Sequence, residues 1–188
     1  MKIVLIAGSI VGTKTKTAML KVQEIFATKF PEVEVTMLDL AEYDLVFSDG
    51  RNYFEYEGDT KYVTETIMAA DGVVIGTPTF QGSIPATLKN IFDLLPVNAF
   101  RGKVVSTVVT AGTSKHYLMV EQQLKPILAY MKAHTVPTYV FAEDKDFLRK
   151  EIINDDILFR LDRLVDDTVT YVETHAAIRE KKDKLYDF

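Results

Sequence analysis

The chain has 188 residues, 47% hydrophobic and 26% charged, ordinary proportions for one soluble globular domain with a sizeable core. Its 22 Lys and Arg against 27 Asp and Glu give a formal net charge of −5, which argues against nucleic acid or an anionic membrane surface as the main partner. Cysteine is absent, so disulfides, thiolate metal sites and cysteine nucleophiles are excluded.

The apolar start at Met1 is broken by polar and charged residues 13–16, so no signal peptide is expected. No apolar run approaches the ~20 residues of a membrane span, and a cytoplasmic location is expected. Residues 2–7 are β-branched and apolar and predict a buried first strand. They empty into a polar loop, residues 8–17, that holds Gly8, Ser9, Val11, Gly12, Thr13, Thr15, Lys16 and Thr17. A helix follows, with Met19, Val22, Ile25 and Phe26 on one face and Phe30-Pro31 at its end. Residues 33–40 read as a second strand. Residues 41–58 have no clean period and predict a long excursion with a helical turn; Tyr53, Phe54 and Tyr56 within it suit packing or an interface. A short helix over 61–70 turns Val63, Ile67 and Met68 inward.

A third strand over 73–76 feeds residues 76–96, the stretch around which the rest is organised. The segment 77–83 is polar with one aromatic, Phe80. Pro78 fixes its own φ and pushes Thr77 toward extended geometry. Gly82 allows a sharp turn or a close approach. Ser83 is placed to cap the next helix, with Pro85 in its first turn. That helix carries Ile84, Leu88, Ile91, Phe92 and Leu95 at helical spacing. The apolar content of Phe92, Leu94, Leu95, Val97 and Phe100 predicts an exposed patch of the kind that joins subunits.

A fourth strand over 104–110 ends in a turn with Gly112 and Thr113. Residues 116–132 predict a helix, 136–141 a fifth strand and 143–149 a polar connection. A last amphipathic helix runs from about 155 toward 181, and the charged tail 180–187 is expected to fray. There is no repeat or linker, so residues 1–188 form a single domain. Strands alternating with helices predict a parallel sheet covered on both faces. At this length the expectation is a flavodoxin-like three-layer α/β sandwich, five-stranded, in the order 2-1-3-4-5. Ligands of such sheets bind outside the carboxyl ends of the strands, at the switch point between strands one and three. The polar loops after strands one, three and four all fall on that edge.

The first loop sets hydroxyls of Ser9, Thr13, Thr15 and Thr17 around a helix start, where free amides and the dipole favour an anion. It is neither a G-x-x-x-x-G-K-[ST] loop nor a G-x-G-x-x-G fingerprint. In the second loop Phe80 offers a face to a flat ring, with Pro78, Thr79, Gln81, Gly82 and Ser83 around it. Gly112 and Thr113 could close from the third loop. A phosphate site and a flat-ring site on one edge describe a mononucleotide with a planar base, most simply FMN. His116, His134 and His175 show no metal-ligand spacing, and no G-x-S-x-G elbow is present. No catalytic side chain is assigned.

Gly8-Ser9, Thr15, Thr17, Gly76-Thr77-Pro78-Thr79-Phe80, Leu88-Lys89-Asn90, Asp93-Leu94-Leu95-Pro96, Gly102-Lys103 and Gly112-Thr113 together resemble the NADPH-dependent FMN reductase family. The likeness spans roughly residues 1–145 and is nearest to the alkanesulfonate-type flavin reductases, which feed reduced FMN to a monooxygenase. It implies that Ser9, Thr15 and Thr17 hold the phosphate, that residues 78–83 line the ribityl chain and ring, and that Gly112 and Thr113 approach the ring from the other side. Val11 stands where the family commonly carries Arg, Phe80 where it carries Tyr, and Gln122 where the alkanesulfonate-type enzymes carry Tyr. The implied activity is hydride transfer from NADPH or NADH to FMN, then to free flavin, a quinone, an azo compound or a partner monooxygenase. The implied assembly is a homodimer or homotetramer. The alternative is a non-enzymatic electron carrier of the flavodoxin type.

Overall fold

The computed structural model describes residues 1–186. Its central strand is β1 (Lys2–Ala7), flanked by β2 (Glu34–Asp39) and β3 (Gly72–Pro78). Beyond β3 lies β4 (Val104–Ala111), followed along the same edge by β5 (His134–Thr135) and β6 (Val140–Glu143). All these pairings are parallel, and the order 2-1-3-4-5 is the flavodoxin-like one.

Alternate side chains of β1 enter two separate cores, as the strand period of two requires. Ile3, Leu5 and Ala7 pack with helices α1 (Lys14–Lys29) and α5 (Asp155–Tyr186), against Met19, Phe26, Leu161 and Val165. Val4 and Ile6 point the other way, toward α2 (Gly58–Ala69), α3 (Ala86–Leu94) and α4 (Lys125–Tyr130). Each large side chain withdrawn from water contributes about 1.5–3 kcal/mol, so both faces of the sheet are secured independently. The chain therefore leaves β1 toward one face and β3 toward the other, and their first loops diverge at the carboxyl edge.

Two glycines bring the divergence into close quarters. Gly8 donates its amide to the carbonyl of Gly76 at 2.8 Å. A Cβ at position 8 would stand 2.8 Å from that oxygen, and one at position 76 would stand 2.4 Å from Met19 Cγ of α1.

Several expectations are corrected. The predicted fifth strand is two short ones, because Pro137 has no N–H to give to the ladder. The predicted helix over 116–132 is a 3₁₀ turn at 114–116, a π-helical turn (Val120–Leu124) and then α4. Pro126 lies in the first turn of α4, and its ring would crowd the carbonyl of Gln122 in an ordinary α-helix; the widened turn removes that clash. Ser83 does not cap α3; Pro85 occupies that position. The segment 143–149 includes β7 (Phe147–Leu148), which pairs antiparallel with β8 (Glu151–Ile152). Phe92, Leu94, Leu95 and Phe100 are buried in the chain's own core, and only Val97 of the expected patch is exposed. Helix α5 continues to Tyr186, past the expected fraying point at Glu180, with an ion pair from Lys184 to Glu180 at 2.6 Å. Asp187 of the charged tail lies outside the described residues.

Gly8→Ala should lower the unfolding free energy by about 1–3 kcal/mol, the usual result of forcing a methyl into filled space. Urea unfolding followed by circular dichroism measures it, and an unchanged midpoint would contradict the close approach of β1 and β3.

Candidate functional site

A cleft of about 380 Å³ opens where the loops after β1, β3, β4 and β6 meet. Val11, Gly12, Thr13, Lys14 and Thr15 form one wall; Pro78, Thr79 and Phe80 form a second; Thr110, Ala111, Gly112 and Asp144 close it. Four loops thus meet at the predicted edge, the three expected there and the one after β6.

The first wall is a helix start with free donors. Thr13 precedes α1 and makes no side-chain capping bond, so the opening amides of the helix have no local acceptor from it. Lys14 lines the cleft, and its Nζ pairs with Asp144 at 2.6 Å, linking the first loop to the loop after β6. Thr15 is buried, and its hydroxyl shares a 2.7 Å hydrogen bond with Thr110 of β4. That bond ties the start of α1 to the sheet across the floor of the cleft.

On the opposite wall, Phe80 and Ser83 exchange two backbone hydrogen bonds of 2.9 Å each. Gln81 and Gly82 between them have φ of 51° and 74°, the arrangement of a type I′ turn. Glycine adopts this conformation freely; Gln81 occupies it at some cost. The turn lifts Phe80 out of the sheet, leaving its ring 40% exposed at the cleft wall. Beside it, the Thr79 Oγ1 is buried and has no hydrogen-bond partner, a spare polar group in the cleft wall.

The third loop is braced from behind. Tyr139 donates its hydroxyl to the carbonyl of Tyr117 at 2.7 Å, and the Tyr117 ring lies 5.4 Å from Tyr139 and 5.5 Å from Phe141. Burial, with Tyr117 nearby, pushes the Tyr139 phenol up to about 12, so it remains a donor at neutral pH. The Ser83 hydroxyl reaches Gln123 in the π-helical turn at 3.2 Å, joining the second loop to the helix after the third.

Of the residues anticipated from sequence, Val11, Thr15, Pro78, Thr79, Phe80 and Gly112 line the cleft. Ser9 does not: its hydroxyl donates to the Val11 carbonyl at 2.6 Å and shapes its own loop. Lys16 turns away to Asp39 at 2.6 Å and Glu42 at 2.8 Å, and those two carboxylates, Asp39 foremost, hold its ammonium protonated well above the ordinary lysine range. Thr17 faces a different cleft on the far side of α1. Gln81, Gly82 and Ser83 form the turn behind Phe80, and Thr113 accepts a 3.4 Å bond from Lys115 N–H within its own turn. Lys14, Thr110 and Asp144 were not anticipated. No sequence signal singles out Lys14, since phasing the helix backward from Met19 and Val22 puts position 15 on their buried face and both 14 and 16 beside it.

The cleft suits a phosphorylated ligand with a flat ring. Lys14, the Thr13 hydroxyl and the opening amides of α1 offer donors for a dianion. Phe80 and the bare backbone of Gly112 offer surfaces to a ring.

Comparison with known proteins agrees. The sequence profile described as NADPH-dependent FMN reductase matches residues 1–147. A protein of Geobacillus thermodenitrificans (strain NG80-2), named NAD(P)H-dependent FAD/FMN reductase, is 42% identical over 165 residues, covering 87% of this chain and 89% of the relative. A Staphylococcus aureus (strain USA300) protein, named FMN-dependent NADPH-azoreductase, is 30% identical over 90% of this chain and 94% of its own. Among solved structures, an apo NADH:FMN oxidoreductase superposes with a TM-score of 0.75 at 24% identity, covering 90% of this chain and 89% of that one, a likeness of fold. With the family profile spanning most of its length and a relative of this similarity over nearly all of it, the chain belongs to the NADPH-dependent FMN reductase family.

Proposed function

We propose that this NAD(P)H-dependent FMN reductase holds its flavin in the cleft between the loops after β1, β3 and β4, with the phosphate toward Lys14 and the ring toward Phe80. The observation that carries the orientation is the separation of the two wall chemistries. The donors and Lys14, the cleft-lining cation among the described residues, lie at the start of α1, and the exposed aromatic lies across from them. A phosphate leaving bulk water needs charged or multiple donors, which Phe80 and Pro78 cannot supply.

Lys14 fills the electrostatic role that the family commonly gives to Arg at the position of Val11. Without ligand it neutralises Asp144; a phosphate in the cleft competes for the same ammonium. Thr15 acts indirectly, by fixing the helix start against Thr110. Bound here, FMN supplies a ring that takes a hydride from nicotinamide and passes the electrons on. The chain's part is to orient that ring, exclude water from one face and neutralise the phosphate. Lys14 and Asp144 are the titratable side chains lining the cleft among the described residues, and both stand at the phosphate end, so no acid–base residue is assigned at the ring. Family membership favours the enzyme over an electron carrier. Acceptors remain those of the family, with azo compounds supported by the name of the Staphylococcus relative. A homodimer or homotetramer is supported by the groove between α3 and α4, where Val97 and Tyr130 are exposed.

Anaerobic mixing of the FMN-loaded protein with NADPH and, separately, with NADH tests the activity. Rapid bleaching of the visible flavin bands by at least one donor is expected; bleaching by neither would leave the electron-carrier reading. The orientation is tested by paired substitutions. Hydrogen bonds to a charged group contribute roughly 1.5–3 kcal/mol. Lys14→Ala should therefore weaken FMN about tenfold to a hundredfold and leave riboflavin nearly unchanged. Lys16→Ala should change neither by more than about twofold. Equal losses for FMN and riboflavin in Lys14→Ala would place the phosphate elsewhere.

A further inference from the structure

Asp144 lines the cleft at the end of β6, where that strand runs beside β4 with Glu143 opposite Ala111. It opens a 3₁₀ turn (Asp144–Asp146) whose base is fixed. Asp146 is buried, and its carboxylate accepts 2.7 Å bonds from the Glu143 amide and from the Asn154 side chain. Lys145, the adjacent cation in the chain, pairs with Glu143 at 2.8 Å. The Asp144 side chain is left to reach over the cleft. One carboxylate oxygen meets the Lys14 ammonium at 2.6 Å, and the other lies 4.0 Å from where a Cβ on Gly112 would stand. The carboxylate thus stands between the first loop and the third.

A helix start favours negative charge, commonly an acidic residue in its own first turn. Helix α1 has none there, and Thr13 makes no side-chain cap. The carboxylate at this end of the cleft comes instead from Asp144, on a loop far along the chain. Lys14 has no other carboxylate within ion-pair distance among the described residues. A carboxylate and a phosphate are held by the same groups, an ammonium and free amides. Asp144 therefore sets its own charge where the flavin reading puts the phosphate. An arriving phosphate must displace that carboxylate from Lys14 or bind beside a like charge, and either lowers its gain.

Resting on the flavin reading above, we infer that Asp144 is an internal competitor at the phosphate subsite: it lowers the affinity of the protein for FMN by occupying Lys14, and leaves the affinity for a phosphate-free flavin unaltered. Each binding event exchanges one anion for another at the same ammonium, so the phosphate gains only the difference between the two. Both partners are substantially exposed, and exposed pairs are weak enough to be exchanged. The opposite role would be a brace, in which Asp144 holds Lys14 extended toward the phosphate and strengthens FMN binding. A brace stands behind the group that it orients. Asp144 instead lines the cleft itself, beside Gly112 and on the ammonium that the ligand needs.

The test is equilibrium titration of FMN and of riboflavin into the parent, Lys14→Ala, Asp144→Asn, Asp144→Ala and the double variant Lys14→Ala/Asp144→Asn, with circular dichroism confirming that each is folded. Competition predicts that the FMN Kd falls about threefold or more in both Asp144 variants, while the riboflavin Kd stays within about twofold. It also predicts that the fall shrinks below about twofold when Lys14 is already absent, since nothing is then left to compete for. A raised FMN Kd in the Asp144 variants would make the residue a brace and overturn the inference, as would an unchanged one. An equal fall for both flavins would make the carboxylate a steric bar and overturn it too. So would the same fall with and without Lys14, which would leave repulsion as the whole effect. Lys14→Ala alone tests the underlying reading: if it weakens FMN no more than riboflavin, the phosphate lies elsewhere and this inference falls with that reading.

Discussion

The carboxyl ends of β1 and β3 lie so close that the Gly8 amide reaches the Gly76 carbonyl at 2.8 Å with no space for a side-chain carbon at either position. The rest of the site depends on that approach. Because β1 continues into a helix on one face of the sheet and β3 into a helix on the other, the two chains meet at these glycines and then separate. The gap between them is the cleft. A larger residue at 76 would push α1 off the sheet through Met19, and with it the helix start that lines the cleft. At the far side of the gap, the 2.7 Å bond between Thr15 and Thr110 repeats the constraint with hydroxyls, fixing α1 to β4. Thr87, in the first turn of α3, adds a 3.4 Å bond to the Gly8 carbonyl and ties the second helix to the same point.

Rigidity at the base contrasts with what stands above it. Phe80 rides on a two-residue turn closed by backbone bonds, and Gln81 holds a left-handed conformation there. Lys14 and Asp144 are both substantially exposed, and exposed pairs of this kind contribute at most about 1 kcal/mol to stability. Loss of that pair would therefore cost the fold little. A site built in this way positions its ligand from the sheet and adapts to it through two surface groups.

The fold was legible in the sequence because the central strands β1, β3 and β4 are short apolar runs and helices α1 and α3 carry clear buried stripes. Two of the misread elements contain a proline whose effect on hydrogen bonding was there to be read: Pro126 widens a helix and Pro137 interrupts a strand. The site was legible as loops and not as side chains. Thr13-Lys14-Thr15-Lys16-Thr17 alternates hydroxyl and ammonium along the first turn of a helix, where successive residues point about 100° apart. Composition alone cannot say which lysine lines the cleft. The answer comes from partners far along the chain: Thr110 takes Thr15, Asp144 draws Lys14 to the cleft, and Asp39 with Glu42 draws Lys16 away. Ser9 lies off the cleft lining for a local reason, since its hydroxyl closes a turn onto Val11 two residues on, a competition common to serine in loops.

Hydrogen–deuterium exchange of the protein with and without saturating FMN tests the central claim most directly, because it reports every loop at once. The account predicts added protection in residues 11–17, 78–83 and 110–115, the three loops that meet at the switch point, with the α3–α4 groove and the β2 edge unchanged. Protection confined to any single loop, or centred on the groove between α3 and α4, would contradict it.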